Sequence, residues 1–302
     1  MKGIIFCTIL AIVGLMLFFG CTSTQEEQTG KLKVVASFYP LFDFAKNIGG
    51  DRIIVSSLIP SGVEPHEFEP SPSDIRLLET ANVFIYNGAG LEPWIDNLLE
   101  GITNKNLISV NSSTQVQLVN SMDADIIGND PHVWLDPILA KKQITQIKEA
   151  LIKADPLGKE YYEQNTTNYL KKLDELDKNF RTVFASCKEK NILITHATLA
   201  YFCKEYGCNQ IPVEGVNAEG EPTPAVLAAI IKQAQDQNIK VIFVEELYDK
   251  RVAETIANDI QGKVAIFNSI HGLTKEEEQN NENYLTLMQK NIEIIKNNLN
   301  CN

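Results

Sequence analysis

The chain has 302 residues, of which 44% are apolar and 8% are aromatic. This composition is that of a packed globular protein and excludes a disordered or collagen-like chain. With 27 basic against 39 acidic residues, the formal net charge of −12 argues against a nucleic-acid partner, because binding to phosphates needs a basic surface. Cations are the more natural ligand class. A chain of this length exceeds what one hydrophobic core usually serves, which predicts two domains or one domain divided by a cleft.

The N-terminus has the pattern of an export signal. Lys2 precedes an uncharged stretch from Gly3 to Gly20, and a polar run follows it; we predict a signal peptide over residues 1–20. The stretch ends in Phe-Phe-Gly-Cys, which resembles a lipobox, so cleavage would leave a lipidated Cys21 and a flexible tether over residues 21–31. An uncleaved membrane anchor is the alternative. Both place the body outside the cytoplasm, on the outer face of the cytoplasmic membrane or in the periplasm.

Residues 32–156 alternate short β-branched runs with amphipathic stretches, which predicts an α/β lobe with a parallel sheet. The predicted strands are Lys33–Phe38, Ile53–Leu58, Val83–Tyr86 and Leu107–Val110, and the predicted helices are Leu41–Ile48, Pro72–Thr80 and Glu92–Leu99. Helix starts are also indicated at Ser71-Pro72 and Asp136-Pro137, because each pair places a capping oxygen before a proline.

A single long helix is predicted over residues 157–186. Apolar residues recur there at helical spacing, and no proline interrupts them. At ~1.5 Å per residue such a helix reaches about 40 Å, the length of two small domains. It is a stiffer connector than a loop, so we expect limited closure of the cleft on binding.

The same alternation returns in residues 187–302, which predicts a second α/β lobe. The predicted strands are Ile192–Thr195, Gln210–Val213, Val241–Val244 and Val264–Phe267, and the predicted helices are Ala197–Tyr206, Pro224–Gln237, Lys250–Ile260 and Asn283–Leu299. Thr223-Pro224 repeats the capping pattern.

Four cysteines lie beyond the signal, namely Cys187, Cys203, Cys208 and Cys301. An oxidising compartment permits disulfides, and the sequence does not choose among the three pairings. If Gly207 is the left-handed residue after a helix, Cys203 and Cys208 lie close together. They then form either a disulfide or two small buried apolar groups.

The chain has four histidines, and three of them have informative surroundings. His66 lies in a proline-rich turn after a predicted strand, His132 precedes a capped helix, and His196 directly follows an apolar strand. Open parallel sheets bind ligands at the carboxyl ends of their strands, so His66 and His196, one from each half, lie where a shared cleft would form. This placement favours a metal site over the alternative of loop histidines bonded to backbone.

These segments resemble the solute-binding lipoproteins of zinc and manganese ABC transporters, from about Lys33 to the C-terminus. The motifs that carry the resemblance are Pro65 to Asp74, Asp130 to Pro137, His196 with Tyr201 and Tyr206-Gly207, and the Glu221-Pro222-Thr223-Pro224 turn. The resemblance implies two four-stranded parallel α/β lobes joined by one long helix, with a metal in the interlobe cleft. It also implies that His66, His132 and His196 are ligands and that an ABC transporter permease is the partner.

The fourth ligand departs from the family pattern. Where the family usually has Leu-Asp-Pro, this chain has Phe267-Asn268-Ser269. We rank Asn268 first, as a neutral oxygen donor, and His271 second. A bound water or Glu64 could also fill the position.

Three imidazoles suit zinc, whereas oxygen-rich octahedral sites suit manganese. We therefore predict that the ion is zinc. The resemblance implies that the protein captures zinc with high affinity as a transported ligand and has no enzymatic activity, and we expect a monomer. Affinity should fall as pH drops through ~6.5, because protons compete for the nitrogens. The alternatives are a manganese or iron carrier of the same fold, a surface zinc hydrolase with Glu64 or Glu67 as general base, and an adhesin that shares only the fold.

Overall fold

Two four-stranded sheets of identical topology organise the chain. The computed structural model describes residues 30–120, 128–216 and 222–302. The strands are β1 (Leu32–Ala36), β2 (Ile53–Ser57), β3 (Val83–Tyr86) and β4 (Ile108–Asn111) in the first sheet, and β5 (Asn191–His196), β6 (Asn209–Glu214), β7 (Val241–Val244) and β8 (Lys263–Ile266) in the second. The orders are β2-β1-β3-β4 and β6-β5-β7-β8, and every pair is parallel. The predicted α/β fold of two lobes is confirmed.

The helices cover the sheets and connect them. They are α1 (Tyr39–Gly49), α2 (Pro72–Glu79), α3 (Ile95–Gly101), α4 (Pro137–Ala154), α5 (Lys159–Ser186), α6 (Ala200–Tyr206), α7 (Pro224–Asp236), α8 (Arg251–Asp259), α9 (Lys275–Gln279) and α10 (Tyr284–Asn298). Two helices begin three residues later than predicted. Before α3, the Glu92 side chain turns inward and accepts from the backbone N–H groups of Asn87 and Gly88. Before α6, the Leu199 N–H donates to the Gln210 side chain.

The helix caps that lie directly before a proline form as the sequence predicts. Asp136 Oδ1 accepts from the Ile138 N–H at 2.8 Å, and Thr223 Oγ1 accepts from the Val226 N–H at 3.3 Å. Ser71 forms a capping box with Asp74. Each cap satisfies backbone donors that the first helical turn leaves unpaired, and so fixes where the helix begins.

The long helix α5 joins the lobes through a shared core. Its buried side chains run from Tyr162 to Phe184 and belong to one apolar cluster with β1 and β3 of the first lobe and with β5 and β7 of the second. A short 3₁₀ turn at Pro156–Gly158 precedes it. The predicted connecting helix is confirmed, and it is part of the core rather than a surface strap.

Each sheet is buried on both faces, because successive strand residues point to opposite sides. In β5, Ile192 and Ile194 face the shared core, whereas Leu193 faces a separate cluster under α7 and α8. In β1, Val34 faces the shared core and Val35 faces a cluster under α2 and α3. The carboxyl ends of both sheets are therefore held on rigid, fully packed strands.

The structure pairs Cys187 with Cys301 in a disulfide and leaves Cys203 and Cys208 as buried free thiols. Gly207 has the left-handed conformation that the sequence indicated, with φ of 71°, and the Cys208 N–H donates to the Cys203 carbonyl at 3.0 Å. Of the two alternatives for this pair, the structure has the buried thiols.

Some predictions lie outside the described residues. They are the signal peptide over residues 1–20, the lipidated Cys21 and most of the tether over residues 21–31. Within the part of the chain that the structure describes, no helix is long and apolar enough to cross a membrane.

Candidate metal centre

Two histidines reach the cleft from the first lobe. His66 lies in the 3₁₀ turn Pro65–Glu67 that follows β2, and Glu64 caps this turn by accepting from the His66 N–H at 3.4 Å. His132 precedes α4 and is fully buried. The two Nε2 atoms are 3.3 Å apart. Donor atoms on a tetrahedral ion with bonds of about 2.0–2.1 Å are separated by about 3.4 Å, so this pair already has the spacing of two zinc ligands.

Asp130 fixes the orientation of His132. Its Oδ1 atom accepts from the backbone N–H of His132 at 2.8 Å and lies 2.9 Å from the ring Nδ1. A proton on Nδ1 that is donated to Asp130 leaves the lone pair on Nε2, which is the atom that faces His66. Tyr201 supports this arrangement from the second lobe by donating its hydroxyl to the Asp130 carbonyl at 2.7 Å.

Two more histidines reach the same place from the second lobe. His196 is the last residue of β5 and donates from Nε2 to the Val216 carbonyl at 2.7 Å. His271 follows β8, and its Nδ1 atom is 2.9 Å from the Ser269 hydroxyl. Among the described residues, the His271 Nε2 atom has no hydrogen-bond partner although it is buried. An unpaired buried nitrogen of this kind marks a place for a ligand.

The four imidazoles lie near the corners of a regular tetrahedron. The six distances between ring centroids all fall between 4.9 and 5.8 Å. With bonds of about 2.0–2.1 Å, four imidazoles around one tetrahedral zinc have ring centroids about 5 Å apart. The ring positions therefore match a four-coordinate ion, whereas the ligand atoms form two sets that share His271.

The loop before His271 has an unusual backbone. Ile270 is fully buried and has a φ of 56°, a left-handed conformation that a β-branched residue rarely adopts. Strain of this kind costs about 1–3 kcal/mol and persists only where the surroundings enforce it. Here Trp134 enforces it by donating its Nε1–H to the Ser269 carbonyl at 2.8 Å. The strained turn sets the direction in which His271 points.

Asn268 builds this loop and is not aimed at the cluster. Its Oδ1 atom accepts from the Ile270 N–H at 2.8 Å, and its Nδ2 group donates to Glu277 at 2.6 Å. Its backbone forms a reciprocal pair with the Asn291 side chain. Both polar ends of Asn268 are therefore engaged in the loop, whereas the His271 Nε2 atom is buried without a hydrogen-bond partner among the described residues. Glu64 lies at the edge, with Oε2 3.6 Å from His271 Nδ1.

Glu245 is a neighbour of the cluster that sequence reasoning missed. It directly follows β7, is fully buried, and places its two oxygens 3.2 Å from His196 Nδ1 and 3.3 Å from His271 Nδ1. The sequence signal was present, because an acidic residue follows the apolar strand Val241–Val244 as His196 follows its own strand. Potential ligand atoms thus fall into two overlapping sets, each within 4.8 Å: His66, His132 and His271, and His196, Glu245 and His271.

Burial divides the histidines into two electrostatic classes. Burial lowers the pKa of His66 and of His132 well below 6.5, and the neighbouring imidazoles lower both further. Burial also acts to lower the pKa of His196, but the Glu245 carboxylate outweighs it and raises that pKa. Conversely, burial acts to raise the pKa of Glu245, and the His196 and His271 rings lower it overall. The first lobe therefore offers neutral imidazoles, and the second offers an imidazole paired with a carboxylate.

A family comparison agrees with this geometry. The model of the zinc-uptake complex component A, periplasmic, family matches residues 34–298. The chain is a member of this family. Members that resemble it include the high-affinity zinc uptake system protein ZnuA of Bacillus subtilis (strain 168), which is 36% identical over 294 residues, or 93% of this chain and 92% of that protein.

Solved structures of similar proteins superpose over most of the chain. The metal-dependent lipoprotein YcdH from Bacillus subtilis has a TM-score of 0.79 at 38% identity and covers 89% of this chain and 99% of that one. The Zn(II)-bound ZnuA-like domain of Streptococcus pneumoniae AdcA has a TM-score of 0.78 at 30% identity and covers 90% of this chain and 100% of that one. The two-lobed fold is therefore that of the family.

Proposed function

We propose that this protein captures zinc outside the cytoplasm and delivers it to the permease of an ABC transporter. The observation that carries the proposal is the set of four imidazoles with the spacing of a tetrahedral zinc shell. The ligands are His66, His132, His196 and His271. Relatives named as a zinc uptake protein and a Zn(II)-bound domain support this choice of ion.

Binding makes and breaks no covalent bond, so the protein's task is capture and release. The neutral first-lobe imidazoles are ready to accept an ion at neutral pH. A cavity of about 940 Å³ reaches His271 and is lined by exposed residues such as Lys46 and Asn47, which gives the ion a route from solvent. Release needs a partner that binds an opened state more tightly than the closed one. We propose that the lipid on Cys21 holds the protein near that partner.

The ligand set distinguishes the proposal from its rivals. A manganese or iron carrier needs harder, oxygen-rich ligands, whereas this cluster is dominated by imidazole nitrogens. A zinc hydrolase keeps one coordination position open for water. In the proposed ligand set His271 fills that position, so we propose a carrier and not an enzyme.

Metal content tests the proposal directly. We expect protein reloaded with zinc at neutral pH to retain about one zinc per chain by elemental analysis, and to prefer zinc over manganese in competition. His132→Ala should bind zinc more weakly in chelator competition, whereas Glu67→Gln, an exposed acid beside His66, should keep the affinity of the unchanged chain. Retention of no first-row metal would overturn the proposal, and turnover of ester or phosphate substrates by the zinc-loaded protein would favour the hydrolase.

A further inference from the structure

The potential zinc ligands are unequally divided between the lobes. The first lobe supplies His66 and His132, two neutral imidazoles. The second supplies three groups, because His196, Glu245 and His271 each offer a ligand atom within 4.8 Å of the others. All three lie at the carboxyl end of one sheet. The β5–β7 register pairs Ile194 with Phe243, which places His196 beside Glu245 two residues further on.

Glu245 is a buried carboxylate that lacks ordinary partners. Among the described residues, neither oxygen has a hydrogen-bond donor other than the rings of His196 and His271. A carboxylate buried away from water is costly unless a cation or several donors satisfy it. Glu92, another deeply buried carboxylate, accepts from Ser37 and from two backbone N–H groups. Glu245 therefore has the surroundings of a group that faces a cation.

The distances at Glu245 are those of metal ligands. Its oxygens are 3.2 Å from His196 Nδ1 and 3.3 Å from His271 Nδ1. The first is close to the separation of about 3.4 Å expected between two donor atoms that share a tetrahedral zinc, and a ligand atom of His271 lies within 4.8 Å of both. Two histidines and one glutamate are also a common three-residue set for zinc, and the carboxylate offsets half of the charge of the ion in a buried place.

We infer that the second lobe alone forms a zinc half-site from His196, Glu245 and His271, which holds the ion while the first-lobe His66 and His132 are not engaged. This inference rests on the proposed function, because it assigns an order to capture at the same site. The ion first binds the three-residue set, and the two neutral imidazoles then complete the shell. Delivery reverses the order, so the second lobe is the last to hold the ion.

Variants of the full chain test the division between lobes, with zinc alone as the probe and a chromogenic chelator as competitor. We expect His66→Ala/His132→Ala to retain one zinc per chain with weakened affinity. The mirror variant His196→Ala/His271→Ala keeps two first-lobe imidazoles and should bind at least about 100-fold more weakly than the first double variant. Circular dichroism and thermal unfolding of each metal-free variant check that it is folded.

Glu245 is then tested within the first double variant. Adding Glu245→Gln should weaken the remaining zinc binding by about 10- to 100-fold and shift the visible spectrum of bound Co²⁺. Glu246→Gln is the matched control, because that neighbouring carboxyl faces Asn268 rather than the imidazoles. A loss of affinity with an unchanged Co²⁺ spectrum would overturn the role of Glu245 as a ligand and leave it a positioning residue.

Two further results would overturn the half-site. One is equal affinity of the two double variants, and the other is no effect of Glu245→Gln on either measurement. The zinc content of the unchanged chain is measured beside the variants, and it tests the proposed function separately. If the variants contradict the half-site while the unchanged chain still binds one zinc, only this inference is refuted and the proposed function stands.

Discussion

His271→Ala separates the two candidates for the fourth zinc ligand. In the structure His271 presents a buried, unpaired Nε2 atom, whereas both polar ends of Asn268 are engaged in the loop. Removing His271 should therefore remove a ligand, and Asn268→Ala should only loosen the turn that carries it. The two substitutions lie three residues apart in one loop, so each serves as a control for the other.

The expected magnitudes follow from the number of ligands. Zinc sites with four protein ligands have apparent binding free energies of about 10–16 kcal/mol, so one ligand contributes about 3–4 kcal/mol. His271→Ala should thus weaken zinc binding by about 10²- to 10³-fold. Asn268→Ala leaves the Ile270 N–H without its acceptor and should cost about 1–3 kcal/mol of folding stability. Its effect on zinc affinity should be smaller than that of His271→Ala, because Asn268 acts only through the loop that carries the ligand.

Chelator competition at pH 7.5 measures both affinities, and the spectrum of bound Co²⁺ reports the ligand set. We expect His271→Ala to change the Co²⁺ spectrum and Asn268→Ala to leave it unchanged. The reasoning is refuted if Asn268→Ala loses more affinity than His271→Ala. Unchanged affinity in His271→Ala would assign the fourth position to water or to another side chain.

Three other predictions concern stability and protons. Replacing both Cys187 and Cys301 by Ser opens a loop of 114 residues and should lower the free energy of urea unfolding by about 2–5 kcal/mol; a different linkage in a non-reduced peptide map would contradict the pairing. Tyr284→Phe removes a buried hydroxyl that donates to the Trp134 carbonyl at 2.5 Å. It should lower the unfolding free energy measured by calorimetry by about 1–2 kcal/mol, and an unchanged Tm would contradict this prediction. Although burial opposes it, Glu245 raises the pKa of His196 above 6.5, so more than half of these rings are protonated in the metal-free protein at pH 6.5. The ion pair of His196 with Glu245 therefore stabilises the metal-free fold below pH 6.5, and its contribution is lost as pH rises through the raised pKa of His196. Calorimetry in different buffers should show that zinc binding releases more protons at pH 6.5 than at pH 9. Equal proton release at the two pH values would contradict the raised pKa.

The fold was predictable from sequence because its signals are local and repeated. Buried parallel strands are continuous apolar runs, and Val241–Val244 has the same bounds in the prediction and in the structure. The capping residues that lie directly before a proline indicated helix starts, because they too are local signals. The helix Lys275–Gln279 was missed, because a single turn with no buried residue has no apolar periodicity to detect.

The candidate site was predictable where a residue lies in a recognised motif or directly follows a strand. The structure places the motif residues His66 and His132 in the cluster. His196 ends β5, and the rule for carboxyl ends of parallel strands therefore indicated it. The same rule applies to Glu245, an acidic residue that directly follows the apolar strand β7. His271 was ranked second because its direction depends on the left-handed turn at Ile270, and a β-branched residue gives no sequence signal for that conformation. The Cys187–Cys301 pair has no local signal either, since its partners are 114 residues apart.

In the proposed site His271 supplies one of the four nitrogens, so the choice of metal should depend on the same loop. Imidazole suits zinc, whereas carboxylate oxygen suits manganese, so His271→Glu should move the site toward the harder ion. The new carboxylate would lie beside Glu245 and Glu64, and like charges without an ion between them repel. A divalent cation relieves this repulsion whichever metal it is, so total affinity is a poor measure and the ratio of affinities is the informative one. We expect the ratio of zinc to manganese affinity, measured by competition, to fall by at least about tenfold. An unchanged ratio would mean that the shape of the cleft, rather than the chemistry of its fourth ligand, selects the ion.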